Sequence, residues 1–451
     1  MNQIFLFIGL VIILCLTIKP VGKKLPFPTL LIFIALGMLL GVNGPAHIDF
    51  SDYALTETVC STALLFIMFY GGFNTNIDRA KPVAVPAVLL STLGVVVTAG
   101  ITGAFAHFAL GFDWIGGLLL GSVVASTDAA SVFSVLREHS LSLRGGTDSL
   151  LEVESGSNDP VAYMLTAVLA TLAAGGDINI PVLLAKQIIL GVGLGLVIGW
   201  ASGRLIERAH ATAEGAQTIF LFAVAIVAYA LPSYLGGNGF LAVYLAGIVL
   251  GASDITSKVE LAHFFDTLTE MAEMTIFFLL GLLVTPARLP QVLLPGLALM
   301  AFMLFVSRPI AVGLLLAPFK TNPRQVALVS WAGLRGAASV VFSLFAVVAG
   351  IAGGHDLFDL VFVIAVASIV VQGSLLPAVA KKLDMIDAAG DVRRTFNDYA
   401  TRTACRLSSS RWARAIRLPD ARSPILAARR TCSWSWCCAT ARTPCCPTAI
   451  P

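Results

Sequence analysis

The sequence predicts an all-α polytopic membrane protein of about thirteen transmembrane helices, and three observations carry that reading. Of the 451 residues, 57% are hydrophobic and only 12% are charged, with a mean hydropathy of +0.88. Soluble globular chains carry about 25% charged residues, so half of the usual solubilising charge is missing. Apolar runs close to the ~20 residues that a helix needs to cross a bilayer recur along the chain. Basic residues gather in alternate connections between those runs. An ordinary soluble enzyme is excluded, and the runs are too continuous for the alternating strands of a membrane barrel.

The runs cover 3–21, 27–43, 54–73, 83–110, 114–136 and 147–173, then 180–203, 215–232, 237–253, 263–284, 290–318, 325–350 and 356–380. The first has no basic residue before it and no small-residue cleavage site after it, so it reads as a retained helix rather than a signal peptide. With the N-terminus outside, fourteen Lys and Arg fall on the inner side, from Lys19 to Lys382, against Lys186 and Arg288 outside. That bias predicts an N-out, C-in chain with an odd number of spans. The seventh run carries Gly191, Gly195, Gly199 and Gly203. Glycine at this spacing lets helix backbones approach closely, and packing inside one subunit is preferred to a subunit interface.

The net charge of +3 conceals a break in character. Residues 1–400 hold 20 Lys+Arg against 25 Asp+Glu, whereas 401–451 hold nine Arg and a single acid, Asp420. Cys15 and Cys60 lie inside apolar runs and make no disulfide framework, while Cys405, Cys432, Cys437, Cys438, Cys445 and Cys446 crowd the tail. The chain therefore divides into a transmembrane domain at 1–385, a polar cytoplasmic exit segment at 386–400 and an Arg/Cys-rich tail at 401–451. A basic nucleic-acid or lipid-binding tail would mix Lys with Arg. This one has the alphabet of a G/C-rich gene translated out of frame, so its cysteines are not read as metal ligands.

The informative residues are ionisable groups at membrane depth, which cost about 2.5–3.5 kcal/mol each on insertion scales and are functional candidates by default. The fifth run holds Asp128 among Ala125, Ser126, Thr127, Ala129, Ala130 and Ser131. The sixth holds Glu152, Glu154 and Asp159, and the twelfth has Arg335 as its only membrane-depth charge. Four acids against one base suit a cation and, when it leaves, a proton. Glu152, Ser155 and Asp159 share one helical face, and Glu154 shares another with Asn158. Glu154 is expected to pair with Arg335, an ion pair that fixes two helices. Small residues around Thr127-Asp128, and Gly333 and Gly336 beside Arg335, tolerate unwound backbone whose carbonyls can bind a cation. Pro160 removes one backbone donor and should loosen the helix beside Asp159. Glu270 and Glu273 read as solvated, and Arg308-Pro309 as a kink whose arginine snorkels to the interface. No nucleotide loop, zinc motif or catalytic triad stands out, and no resident cofactor is expected.

Thr127-Asp128, then Glu154-Ser-Gly-Ser-Asn-Asp-Pro160, then Gly333-Leu-Arg-Gly-Ala337 resemble the NhaP-type monovalent cation:proton antiporters over about residues 5 to 400. The wording Ser-Thr-Asp-Ala-Ala-Ser-Val-Phe-Ser looks closest to the bacterial potassium:proton branch. The resemblance implies two inverted repeats, with broken helices crossing at Thr127-Asp128 and around Arg335. It implies Asp159 and Asn158 as the cation and proton site, Ser155 and Thr127 as coordinating positions, and Asp128 beside them. Glu154 and Arg335 would form the structural ion pair. It further implies one K⁺ or Na⁺ exchanged for one H⁺, and a homodimer in the bacterial inner membrane. Two departures stand out: Tyr70 precedes Gly71-Gly72 where many members carry an acid, and the tail replaces a cytoplasmic regulatory domain.

Two rival classes are weighed against exchange. A cation channel needs a selectivity filter, and no short outer loop resembles one. A sodium-coupled organic-anion symporter needs a site for an anionic group, which Arg335 could supply only if Glu154 left it unneutralised. No feature points to nucleic acid.

Overall fold

The computed structural model describes residues 2–22, 28–41, 47–48, 50–139, 141–176, 179–208, 214–253, 255, 258–351 and 353–387. The Arg/Cys-rich tail and nearly all of the polar exit segment lie outside the described residues. Among the described residues the backbone is helical apart from turns and one isolated bridge between Leu143 and Ile386. The described helices fall into thirteen consecutive segments, as the hydropathy pattern predicts.

They are α1 (Asn2–Gly22), α2 (Leu30–Leu40), α3 (Tyr53–Asn74) and α4 (Ile77–Leu110). Next come α5, split into α5a (Trp114–Ala125) and α5b (Ala129–Glu138), and the long α6 (Thr147–Ala173). After these follow α7 (Ile180–Arg208), α8 (Glu214–Tyr234), α9 (Gly239–Ala252) and α10 (Lys258–Leu283). The last are α11 (Leu289–Phe319), α12 as α12a (Pro323–Trp331) and α12b (Ala337–Val348), and α13 (Gly354–Lys382). Seven segments are long and apolar enough to cross a membrane by length and composition, and further helices are shorter but equally apolar. Large apolar side chains such as Leu6, Ile189, Trp200 and Ile219 stand exposed on the outer faces. A belt of that kind suits lipid rather than water.

Side-chain caps set several helix starts. Asp52 accepts from Leu55 N at 2.8 Å, Asp113 from Gly116 N at 3.2 Å, Asn238 from Leu241 N at 3.0 Å and Asn322 from Arg324 N at 3.0 Å. Gly111, at φ 77°, closes α4 in the left-handed conformation that favours glycine. Pro160 does not interrupt α6, which runs through it as one helix. The expected loosening is therefore confined to the single donor that proline lacks.

The segments gather in two bundles. One holds α4–α6 and α11–α13, and the other holds α2, α3 and α7–α10, with α1 beside α2. Within the first, α4–α6 and α11–α13 repeat one plan: a helix with a π-turn (Leu90–Gly94 or Met303–Ser307), a broken helix, then a long helix. Each segment of the second copy comes an odd number of places after its counterpart, so alternation across the bilayer makes the second copy run opposite to the first. Glycines weld each bundle internally. A Cβ on Gly117 would stand 2.8 Å from Gly103 O, and one on Gly121 would collide with Ala99 O, so α4 and α5a touch backbone to backbone. The glycine ladder of α7 packs within the chain against α9: Gly195 would meet Ala242 O at 2.6 Å and Gly199 would meet Ala246 Cα at 3.0 Å.

Candidate functional site

The two broken helices meet at their gaps. Ser126–Asp128 and the stretch between Trp331 and Ala337 are unwound, and Asp128 N donates to Leu334 O at 2.8 Å. Small and polar residues at 125–131 allow the first gap. At the second, the glycines make room for charges from other helices. A Cβ on Gly333 would lie 2.8 Å from Arg308 Nε, and one on Gly336 would collide with the Asp128 carboxylate.

Both broken ends of α5 meet the charge that their dipoles favour. The Arg335 guanidinium donates to Ala125 O at 2.9 Å and Ser126 O at 2.7 Å, the carbonyl end of α5a. The Asp128 carboxylate accepts from Ser131 N at 3.2 Å and from Ser131 Oγ, the amide end of α5b. Gln372 Nε2 donates to Trp331 O at 3.1 Å, closing the carbonyl end of α12a, and Ser368 Oγ accepts from Arg335 N at 2.9 Å.

Against this crossing lies one face of α6. Ser155 Oγ donates to Thr127 O, Asn158 Oδ1 accepts from Thr127 N at 3.3 Å, and Asn158 Nδ2 donates to Thr127 Oγ1. Asp159 accepts a hydrogen bond from Ser126 Oγ. Thr127, Ser155, Asn158 and Asp159 are all buried, Asp159 at 8% exposure. Four of the predicted residues thus converge on one small, oxygen-rich volume. Asp128 lies one residue beyond, as a cap on α5b. Glu152 shares the Ser155–Asp159 side of α6 but sits nearer the Thr147 end, at intermediate exposure. Glu270 and Glu273 are half-buried on α10.

The predicted Glu154–Arg335 pair is not formed. Glu154 pairs instead with Arg308 of α11, whose Nη2 reaches Oε1 at 2.9 Å and Oε2 at 2.8 Å. Both side chains are almost fully buried, and Asn158 Nδ2 adds a 3.3 Å bond to Oε1. The reason is electrostatic: Arg335 already holds the carbonyl end of α5a, and Arg308 would otherwise be a buried charge with no counter-ion. The snorkelling expected of Arg308 is corrected with it. The π-turn at Met303–Ser307 and the space left by Gly333 turn that side chain inward.

The transmembrane profile of the sodium/hydrogen exchanger family matches residues 9–382. The chain belongs to the sodium/hydrogen exchanger family. The K⁺/H⁺ antiporter NhaP2 of Shewanella sp. (strain ANA-3) is 38% identical over 386 residues, covering 84% of this chain and 67% of that protein. The K⁺/H⁺ antiporter NhaP of Alkalimonas amylolytica is 37% identical over 390 residues, covering 85% and 67%. Among solved structures, the sodium proton antiporter MjNhaP1 of Methanocaldococcus jannaschii at pH 8 superposes with a TM-score of 0.72 at 22% identity, over 84% of this chain and 99% of that one. That likeness establishes the exchanger fold.

Four residues of this exchanger's centre are not among the site residues that the sequence predicts. Ser126 touches Asp159 but, having no charge, reads in the sequence only as a small neighbour of Thr127-Asp128. Ser368 and Gln372, hydrogen-bonded to each other, brace the second crossing from α13. Arg308 is visible as an arginine in an apolar run, and intramembrane charge is the signal that could have placed it. Tyr70, which stands where many members carry an acid, donates to Asp266 of α10 at 3.2 Å.

Proposed function

We propose that this exchanger is a secondary antiporter that carries one monovalent cation, K⁺ in preference to Na⁺, against one H⁺. One observation supports the reading above others. Glu154, a close neighbour of Asp159 on α6, is neutralised by Arg308, whereas Asp159 has no basic group within ion-pair distance among the described residues. A buried carboxylate with hydroxyl and amide oxygens around it and no resident counter-ion is a place for one exchangeable cation. Ser126, Thr127, Ser155 and Asn158 supply the remaining oxygens, and Asp128 contributes negative field from the crossing.

Asp159 then holds either a proton or a cation. Both loaded forms are neutral at that residue, whereas the empty carboxylate carries an uncompensated charge. Rocking of one bundle against the other carries loaded sites across, and the charge penalty on the empty site couples the two fluxes. Asn158, in place of a second acid, supports a one-to-one, electroneutral cycle. Preference for K⁺ follows the relatives near 38% identity, which are K⁺/H⁺ antiporters. No bond is made or broken, and no cofactor is needed.

The proposed setting is the bacterial inner membrane, N-terminus outside, as a homodimer joined outside the α4–α6/α11–α13 bundle. There it serves cation, pH and cell-volume homeostasis. Residues 1–385 form the antiporter domain, 386–400 a cytoplasmic exit, and 401–451 a tail from a shifted frame. Glu154 leaves Arg335 unneutralised, which is the condition of the symporter alternative, but the Arg335 guanidinium is committed to two carbonyls and is buried, which argues against its receiving an anionic group. The deciding test is Asp159→Asn in proteoliposomes: addition of K⁺ or Na⁺ should no longer dissipate a pH gradient, while the wild type does so. Retained exchange in the variant would overturn the competition scheme.

A further inference from the structure

The two bundles meet in a different way from the helices inside each of them. Inside, glycines bring backbone against backbone: an added Cβ would stand 2.6 Å from Ala242 O at Gly195 and 2.8 Å from Gly103 O at Gly117, and would collide with Phe69 O at Gly247. Contacts of that kind interlock and do not slide. Between α6 of one bundle and α9 of the other, a Cβ on Gly156 would first meet a side chain, the ring and hydroxyl of Tyr244 at 2.9 Å. Beyond it the seam is side chain on side chain, with Tyr163 edge-on to Phe240 at 4.9 Å and Phe240 near Phe342 at 6.1 Å. This aromatic cluster seals the seam one turn beyond Asp159.

One strong hydrogen bond crosses the seam within a residue of Asp159. Asn238 Nδ2 donates to Pro160 O at 2.8 Å, and Asn238 is 1% exposed. Its position is over-determined. Oδ1 caps α9 by accepting from Leu241 N, the backbone N donates to Gln187 O of α7 at 3.2 Å, and Gly236 turns the chain at φ 79° to place it. A weaker contact, Ser157 Oγ to Tyr244 Oη at 3.4 Å, crosses the seam on the other side of Asp159.

We propose that Asn238 is a state-specific latch. Its carboxamide holds α6 against α9 in the conformation sealed on the Tyr163 side, and releases Pro160 O when the bundles rock. This rests on the antiport reading above. Asn238 is a positioning residue: it holds the turn that carries Asp159 without touching the cargo.

The test is Asn238→Ser in the full-length exchanger. Serine keeps a helix cap but is too short to reach Pro160 O. Half-saturating K⁺ is measured from each membrane face, using right-side-out and everted vesicles with a pH-sensitive dye. Loss of one buried hydrogen bond should shift the ratio of the two conformations by roughly 3–10-fold. Half-saturating K⁺ on the Tyr163 face should then fall by about that factor, while on the opposite face it stays or rises. A defect that is only structural moves both faces in the same direction or lowers the maximal rate alone; either result, or unchanged values, overturns the latch. Should Asn238→Ser fail to assemble, Asn238→Thr makes the same separation of cap from reach. A wild type that exchanges beside an unchanged variant refutes the latch alone. A wild type without exchange refutes the antiport reading and the latch with it.

Discussion

Neutralising Glu154 tests which arginine is its partner. In Glu154→Gln, Arg308 keeps its charge at 2% exposure and loses the carboxylate now 2.8 Å away. Removing one member of a buried ion pair costs about 3–5 kcal/mol, chiefly because the other charge is left uncompensated. Arg308→Met should cost a similar amount for the mirror reason. The double variant leaves no orphan charge, so it should be less destabilised than the two single losses together by about 2–4 kcal/mol. Arg335 behaves differently, since its guanidinium donates to Ala125 O and Ser126 O. Its loss should therefore couple to Glu154→Gln less strongly than Arg308→Met does. The assay is thermal unfolding of the purified exchanger in detergent, followed by tryptophan fluorescence, with both cycles measured in one buffer. For a chain of this size about 1–2 °C corresponds to 1 kcal/mol, so each single variant should unfold several degrees early. If the Glu154/Arg308 double variant loses the sum of its singles, or if Glu154 couples more strongly to Arg335, the assignment is wrong.

Competition at Asp159 predicts that half-saturating K⁺ falls about tenfold for each pH unit raised while the carboxyl is mostly protonated, and levels off once it is ionised; a flat profile in dye-dequenching titrations contradicts it. Gly121→Ala sets a Cβ against Ala99 O and should abolish folded protein in size-exclusion profiles, whereas Gly100→Ala, with nothing within 4 Å, should be silent. Gly333→Ala crowds Arg308 Nε at 2.8 Å and should cost about 1–3 kcal/mol. That cost should largely vanish in an Arg308→Met background, and equal costs in both backgrounds would show that the glycine serves something else. Arg335→Met uncaps the carbonyl end of α5a and should lose about 1.5–3 kcal/mol per charged hydrogen bond, seen as a lower unfolding temperature.

Much of this molecule was determined by the sequence alone. Hydropathy and the placement of bases are properties of consecutive residues, and they carry the number, order and alternation of the helices. The helical period placed Ser155 and Asp159 on one face of α6, and small residues beside Asp128 and Arg335 marked where α5 and α12 unwind. Which charge meets which was decided only by the tertiary structure. Glu154 lies 154 residues from Arg308 and 181 from Arg335, and no local pattern ranks two distant arginines. The choice depends on Arg335 being drawn to the open carbonyls of α5a, and on Gly333 clearing space for Arg308. The seam was equally hidden, because Asn238 sits uncharged among glycines at the start of the ninth apolar run, with nothing local to show what it would bond. Periodicity fixes what one helix presents; the partner it presents to is set by packing across the whole fold.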